Sequence, residues 1–99
     1  MDIVHDRWGN EIYITDERWE HIYDRHPEII GYEEHVLKTL RAGRRKQQPL
    51  ELNVFKYSAS YDDLPENHTQ IIVVVKFGQR IDEKGQAEPN NFVITAYMK

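Results

Sequence analysis

The first half of the chain carries apolar and aromatic residues at helical spacing. Four of them follow the i, i+3, i+4, i+7 rule: Trp19, Ile22, Tyr23 and His26. This spacing predicts an amphipathic helix with one buried stripe. Thr15 is a typical N-cap residue for this helix, and Pro27 ends or bends it just beyond Arg25.

A second helix is predicted from Tyr32 to Ala42. Its apolar stripe consists of Val36, Leu37 and Leu40. Gly43 is a residue type that commonly ends helices. The basic run from Arg44 to Lys46 follows directly, and we expect it to form an exit loop.

The second half of the chain changes to the alternation that is typical of β-strands. An extended stretch is predicted from Leu50 through Tyr61, and the apolar run from Ile71 to Phe77 predicts a central strand that is covered on both faces. The polar segment from Gly78 to Asn91 contains glycine and proline, which favours a long hairpin loop. The last predicted strand runs from Phe92 to Tyr97.

The N-terminal residues complete the predicted architecture. Glu11 to Ile14 alternates after the turn signal Trp8-Gly9-Asn10, which predicts a strand that closes a small hairpin. Helices followed by a run of strands are typical of the α+β class. We expect one domain over residues 1–99, in which the N-terminal β-hairpin and the two helices pack on one face of an antiparallel β-sheet.

Composition limits the class of protein. The 99 residues include no cysteine, which excludes disulfides, thiolate metal sites and cysteine nucleophiles. No apolar run approaches the roughly 20 residues of a membrane span, and no signal peptide is apparent. We therefore expect no membrane partner and a cytoplasmic location, or delivery as an effector domain. The net charge of -4 argues mildly against non-specific nucleic-acid binding.

The two histidines in the block WEHIYDRHPE are the first candidates for chemistry. His21 lies on the same helical face as Arg18 and Arg25, whereas His26 lies on the apolar stripe. Because Pro27 turns the chain, both imidazoles can reach one rim. Two histidines beside arginines can cleave RNA by removing the ribose 2′-hydroxyl proton and protonating the leaving oxygen. The alternative is structural: a solvated His21 and a half-buried His26 at the helix end.

A metal site is not predicted. Histidines five residues apart lie roughly 140° apart on a helix, whereas helical zinc pairs use i, i+4 spacing. His35 and His68 are isolated in the sequence, so no third ligand is evident. We expect neither a metal nor another cofactor.

The final strand presents two chemically different faces if it alternates regularly. One face would contain Phe92, Ile94 and Ala96 and would pack on the helices. The other face would contain Val93, Thr95 and Tyr97, with a hydroxyl and a phenol on the open side of the sheet. Both residue types are also ordinary strand formers. Lys76 ends the central strand, where it either clamps a phosphate or marks the exit to solvent.

These features together resemble the barnase–EndoU–colicin–RelE superfamily of small metal-independent ribonucleases, most closely its phage-associated and bacterial branches. The resemblance covers Ile14 to Tyr97. It rests on the block ITDERWEHIYDRHPE, a second short helix, the central strand IIVVVK and the terminal strand FVITAY, in that order. In that superfamily a pair of helices packs on an antiparallel sheet, and RNA lies across the open face.

The resemblance implies a toxin-like endoribonuclease that acts by 2′-hydroxyl transesterification. The implied catalytic residues are His21, His26, Lys76, Thr95 and Tyr97. EndoU-like members take their two histidines from more separate positions, so the His–His–Lys assignment stays open. RelE-like members also use arginines and lysines, which makes Arg25 an alternative. The implied partners are RNA, either tRNA or mRNA, and a cognate antitoxin or immunity protein.

Arg25, Arg44 and Arg45 are the predicted RNA-binding residues. Such cations contact phosphates without sequence choice, and a solvated basic run is the alternative. A second functional hypothesis is a non-enzymatic protein- or RNA-binding module, either an immunity or adaptor protein or an inactive member on the same fold. The acidic balance of the chain favours this hypothesis, because small acidic domains commonly bind basic partners.

Overall fold

A computed structural model describes all 99 residues of the chain. Two ten-residue helices and eight strands are connected by short segments. The helices are α1 (Asp16–Arg25) and α2 (Glu33–Ala42). The strands are β1 (Asp2–His5), β2 (Glu11–Ile14), β3 (Arg44–Gln47), β4 (Val54–Ser60), β5 (Gln70–Lys76), β6 (Gln79–Ile81), β7 (Ala87–Pro89) and β8 (Asn91–Met98).

Six strands form the main sheet in the order β1-β2-β8-β5-β4-β3, and β6 and β7 form a separate two-stranded ribbon. The two helices pack on the main sheet, which confirms the α+β class. The sheet is mixed rather than wholly antiparallel, because β2 runs parallel to β8. The chain can make this parallel pair because both helices and the five strands β3 to β7 lie between β2 and β8. Neither helix has the length and apolar character that a bilayer crossing requires.

Side chains from both helices and from one face of the sheet form the core. Trp19 and Ile22 of α1 and Val36 and Leu40 of α2 are buried there. The central sheet positions in the core are Tyr57, Ile71, Val73, Val75, Val93, Ala96 and Met98. The predicted stripe of α2 is therefore confirmed as core, and so are Trp19 and Ile22 of α1. Tyr23 packs against the core, whereas His26 follows the end of α1 and is 33% exposed. Ile72 and Val74 of β5 point to the other face, which no helix covers.

Local chemistry fixes the bounds of α1 where the sequence predicts them. The Thr15 hydroxyl accepts the backbone N–H of Arg18 at 3.0 Å, as an N-cap residue does. The helix ends where the His26 N–H donates to the Ile22 carbonyl at 2.7 Å. Pro27–Ile29 then forms one turn of 3-10 helix, so the chain turns sharply after His26.

Gly43 ends α2 as predicted, but not in a left-handed conformation. Its φ is -74° and its ψ is 166°, an extended geometry that any residue can adopt. Glycine is required by space instead, because an added Cβ would overlap the Thr39 carbonyl oxygen and lie 2.7 Å from that of Ser58. The absence of a side chain lets the end of α2 lie directly on β4.

Three segments differ from the predictions. Arg44 to Lys46 is not a loop but the greater part of edge strand β3, which pairs with β4. Leu50 and Leu52 are not in a strand: they are 97% and 66% exposed in a turn before β4 begins. The loop from Gly78 to Asn91 contains the β6–β7 ribbon. In each case the strand or turn is set by backbone pairing between segments, which hydropathy does not report.

A β-bulge changes the predicted faces of β8. Val74 pairs with Thr95 and Val75 pairs with Val93, so Ile94 has no partner on β5. The extra residue shifts the alternation, and Val93 joins Ala96 in the core. The prediction that Val93 shares a face with Thr95 and Tyr97 is therefore wrong. Thr95 and Tyr97 themselves do share the open face, on the side of Val74 and Ile72.

Candidate functional site

The open face of the main sheet is basic although the protein is acidic. No aspartate or glutamate occurs in β3, β4, β5 or β8. Strand register places four exposed cations on this face: Arg44, Lys46, Lys56 and Lys76. The carboxylates lie on the helices, the hairpins and the loops. The sheet face is therefore a local region of positive potential.

The register arranges this face in three rows that cross the strands. The first row contains Arg44, Ser58, Ile72 and Tyr97. The second contains Lys46, Lys56, Val74 and Thr95. The third contains Lys76, Phe92 and Tyr13. Each row thus has at least one cation. The first row also has the ring of Tyr97 on β8, and the third has the rings of Phe92 on β8 and Tyr13 on β2.

His26 lies at the β8 end of the first row. Its ring centroid is 5.7 Å from that of Tyr97, with the two rings tilted by 35°. The side chain is 33% exposed, and its Nδ1 lies 3.6 Å from the Glu28 Oε2. Because the carboxylate is on the Nδ1 side, Nε2 is the nitrogen that is free to meet a ligand. Of the two predicted histidines, His26 is the one that the fold brings to Tyr97.

His21 is exposed on α1 in a different setting. It lines a surface depression of about 480 Å³ together with Thr15, Glu17, Arg18, Glu20 and Asp24. No β8 residue lines this depression. His21 therefore lies in a depression formed by α1 and its N-cap, to which neither Thr95 nor Tyr97 contributes.

Lys76 lies on the open face but away from His26. It pairs with Phe92, whereas Tyr97 pairs with Ile72 four positions earlier on β5. Four strand positions correspond to about 13 Å. Lys76 therefore shares the open face with the His26–Tyr97 pair but lies too far along the sheet to contact it.

The three predicted RNA-binding arginines have three different settings. Arg25 is exposed in the last turn of α1, next to His26. Arg44 is exposed on the open face. Arg45 is on the opposite side, because neighbouring strand residues alternate. Its Nη1 lies 3.6 Å from the Asp6 Oδ2, and its side chain is 22% exposed. Arg45 therefore does not belong to the open face.

Asp6, Tyr57 and Arg45 form a buried polar cluster, which we call the Asp6 cluster. The Asp6 side chain is fully buried and accepts a 2.5 Å hydrogen bond from the Tyr57 hydroxyl. Burial opposes ionisation of Asp6, but hydrogen bonds from Tyr57, Asn10 and Trp8 outweigh it and lower the pKa of the carboxyl. Burial and the Asp6 partner raise the pKa of Tyr57. No sequence motif indicated this cluster.

A second polar cluster joins α2 to the turn after β4. The His35 Nε2 lies 2.8 Å from the Asp63 Oδ2, so His35 is not isolated as its sequence position indicated. The hydrogen bond to His35 lowers the pKa of Asp63. The Tyr61 hydroxyl also donates to the His35 carbonyl at 3.1 Å. These contacts hold the turn on the helix.

Arg18 is a site residue that sequence reasoning did not select. Its Nη1 donates to the Ile94 carbonyl at 3.2 Å, at the bulge of β8. The only available signal was its position three residues before His21 on α1. No group of three His, Cys, Asp or Glu side chains that could hold a metal ion occurs in the structure.

Comparison with known protein families, curated proteins and solved structures found no match to this chain. The chemistry of the open face and of the His26–Tyr97 contact is therefore the basis for functional inference.

Proposed function

We propose that the chain is a metal-independent endoribonuclease that holds single-stranded RNA on its open sheet face. The observation that carries the proposal is a cationic face on which β3, β4, β5 and β8 carry no carboxylate and which has the His26–Tyr97 pair at one edge. Cations bind phosphates, and the rings of Tyr97 and Phe92 offer surfaces on which unpaired bases can stack. Sheet faces with exposed aromatics suit single strands better than duplexes.

His26 is the proposed proton-transfer residue. The 2′-oxygen attacks phosphorus and loses its proton, the bond from phosphorus to the 5′-oxygen breaks, and that oxygen gains a proton. The products are a 2′,3′-cyclic phosphate and a 5′-hydroxyl. His26 supplies one of the two proton transfers, and Glu28 and Tyr97 are the other titratable groups beside its ring.

In the proposed mechanism the cations provide electrostatic stabilisation. Arg44 lies in the same row as Tyr97, and Arg25 lies in the last turn of α1, next to His26. Positive charge near the reacting phosphate stabilises the additional negative charge of the transition state. Thr95, one row away, offers a hydroxyl to the neighbouring phosphate. Such an enzyme would act on tRNA or mRNA in the cytoplasm, or as a delivered effector, and would need a neutralising partner.

A non-catalytic RNA-binding module is the second candidate. One observation favours it: the surface depression that contains His21, the second predicted acid–base residue, is lined only by residues of α1 and its N-cap. The open face would bind RNA equally well without a second imidazole. The two candidates share the binding face and differ only in turnover.

The test is cleavage of single-stranded RNA in EDTA by the wild type, His26→Ala and Tyr97→Phe. We expect His26→Ala to lower the rate by 100-fold or more, roughly the contribution of a general acid or base. His5→Ala is the matched control, because His5 is exposed in β1 beside Glu11. A loss of activity in His21→Ala but not in His26→Ala would overturn the assignment of His26.

Binding is measured separately from cleavage, by the salt dependence of RNA affinity. Each phosphate neutralised on a single strand contributes a slope of about -0.7 in log K against log salt. Lys56→Ala should reduce the magnitude of the slope by about this amount, whereas Lys84→Ala in the β6–β7 turn should leave it unchanged. Binding without cleavage would favour the module, and absence of binding would contradict both candidates.

A further inference from the structure

A depression of about 180 Å³ lies where α1 meets the edge of β8. It is lined by Tyr13, Thr15, Arg18, Phe92 and Val93. The rings of Tyr13 and Phe92 form one wall, with centroids 6.2 Å apart and planes tilted by 41°. The Tyr13 hydroxyl donates to the Asn90 side chain at 2.8 Å, which fixes the orientation of its ring. The wall is therefore aromatic and rigid.

Arg18 also lines the depression, beside a point where the pairing of the sheet stops. Pairing between β2 and β8 ends at Tyr13–Phe92, so the next part of β8 has a free edge. The bulge residue Ile94 presents its carbonyl along this edge, and the Arg18 Nη1 donates to it at 3.2 Å. One hydrogen bond thus orients the guanidinium, and no carboxylate lies within ion-pair distance of it. The remaining N–H donors are free for a ligand.

We infer that this depression is a base-recognition subsite that takes an unpaired guanine. A flat ring can stack on Tyr13 or Phe92, while the guanidinium faces its edge. Guanine offers two adjacent acceptors, O6 and N7, to an arginine fork, whereas adenine places an N–H donor beside N7. Arg18 has donors alone, so it discriminates against adenine. This inference rests on the proposed function, since it names the RNA base that the same face would select.

The position of the subsite relates it to the proposed reaction. Ile94 precedes Tyr97 by three residues, which corresponds to about 10 Å along the strand. A base held by Arg18 therefore belongs to a nucleotide that flanks the bond beside His26. Selection at this subsite would appear as a preferred base near the cleavage position rather than as a change in the chemistry.

The experiment compares wild type, Arg18→Lys and Phe92→Leu on RNA oligonucleotides that differ only in one base: guanine, adenine, uracil or cytosine. Both affinity and cleavage position are measured. A bidentate arginine–guanine contact corresponds to a preference of roughly tenfold to 100-fold. Lysine keeps the positive charge but not the planar fork. We expect Arg18→Lys to reduce the guanine preference to within twofold while affinity for the other oligonucleotides changes little. Arg41→Lys, at an exposed position of α2, is the matched control.

The outcomes separate the two proposals. Cleavage or binding with no base preference in the wild type would overturn the subsite and leave the ribonuclease proposal intact. Guanine-selective binding without cleavage would support the subsite and remove the nuclease. Absence of RNA binding would overturn both. If Arg18→Lys fails to fold, as circular dichroism would show, Phe92→Leu decides: an unchanged guanine preference in that variant would contradict the aromatic wall and with it the subsite.

Discussion

Arg44 and Arg45 are adjacent in β3, but their side chains are on opposite faces of the sheet. Arg44 pairs with Ser58 and is exposed, whereas Arg45 pairs with Tyr57 and lies against the buried Asp6 carboxylate. The guanidinium of Arg45 also lies over the rings of Trp8 and Phe55, at 4.2 Å and 4.6 Å from their centroids. The same residue type is thus part of the fold in one position and solvated in the next.

The Asp6 cluster connects parts of the chain that are distant in sequence. Asp6 accepts the backbone N–H groups of Trp8 and Asn10 at 2.9 Å and 2.8 Å, which shapes the β1–β2 turn. Its second oxygen accepts the hydroxyl of Tyr57, 51 residues away on β4. The charge of Arg45 is therefore neutralised by the buried carboxylate of Asp6. On the open face no strand carboxylate neutralises Arg44, which leaves its charge for a ligand. Charge alone does not identify a binding residue; the groups that surround it do.

Of the changes that test this comparison, removal of the Asp6 carboxylate should have the largest effect on stability. We expect Asp6→Ala to lower the free energy of unfolding by about 3 kcal/mol, because it leaves Arg45 and the Tyr57 hydroxyl without their buried partner. Chemical denaturation measures the change. Glu11→Ala in the same hairpin is the control, since Glu11 is exposed and should cost less than about 0.5 kcal/mol. A loss below about 1 kcal/mol for Asp6→Ala would mean that the cluster contributes little.

The two arginines should then separate stability from binding. We expect Arg45→Ala to lower the free energy of unfolding by about 2 kcal/mol, through loss of the ion pair and of the contacts with Trp8 and Phe55. Arg44→Ala should change stability by less than about 0.5 kcal/mol. In RNA binding the order should be reversed, with a several-fold loss of affinity for Arg44→Ala. Equal effects of the two variants in both assays would contradict the division between the faces.

Local periodicity was sufficient to predict the helices and the central strand. The stripe of Trp19 and Ile22, the cap at Thr15 and the apolar run of β5 each depend on residues within a few positions of one another. The same is true of the turn after His26, which Pro27 imposes. These features are confirmed because local chemistry and tertiary packing favour the same structure.

The features that the sequence did not predict depend on distant backbone pairing. β3 has no apolar alternation, so Arg44 to Lys46 has no strand signal until β4 lies beside it. The bulge at Ile94 shifts every earlier residue of β8 to the other face, and only the register with β5 reveals it. The contact between His26 and Tyr97 was within reach of sequence reasoning, because both residue types stood out. Asp6 and Arg18 did not stand out, since their partners are remote in sequence.

Acid should produce the smallest of these effects, and it sharpens the comparison because Arg45, unlike Arg44, is paired with a carboxylate, that of Asp6. The pKa of Asp6 is lower in the folded chain than its unfolded value of about 3.9. At a pH between the folded and the unfolded pKa of Asp6, the unfolded state binds more protons than the folded state. The free energy of unfolding therefore rises with pH in this range. The contribution of Asp6 is fully present above about pH 4 and is lost as pH falls through the folded pKa.

The measurement that isolates this contribution is the stability gap between wild type and Asp6→Asn at several pH values. We expect the gap to be constant between about pH 5 and pH 7 and to narrow below about pH 4, because a protonated Asp6 resembles asparagine in charge. Asp63 and Glu33, whose pKa values are also lowered, lose their contributions in both proteins and so cancel in the difference. A stability gap between wild type and Asp6→Asn that stays constant down to pH 2.5 would show that the cluster does not stabilise the ionised form of Asp6. It would also contradict a stabilising ion pair between Asp6 and Arg45.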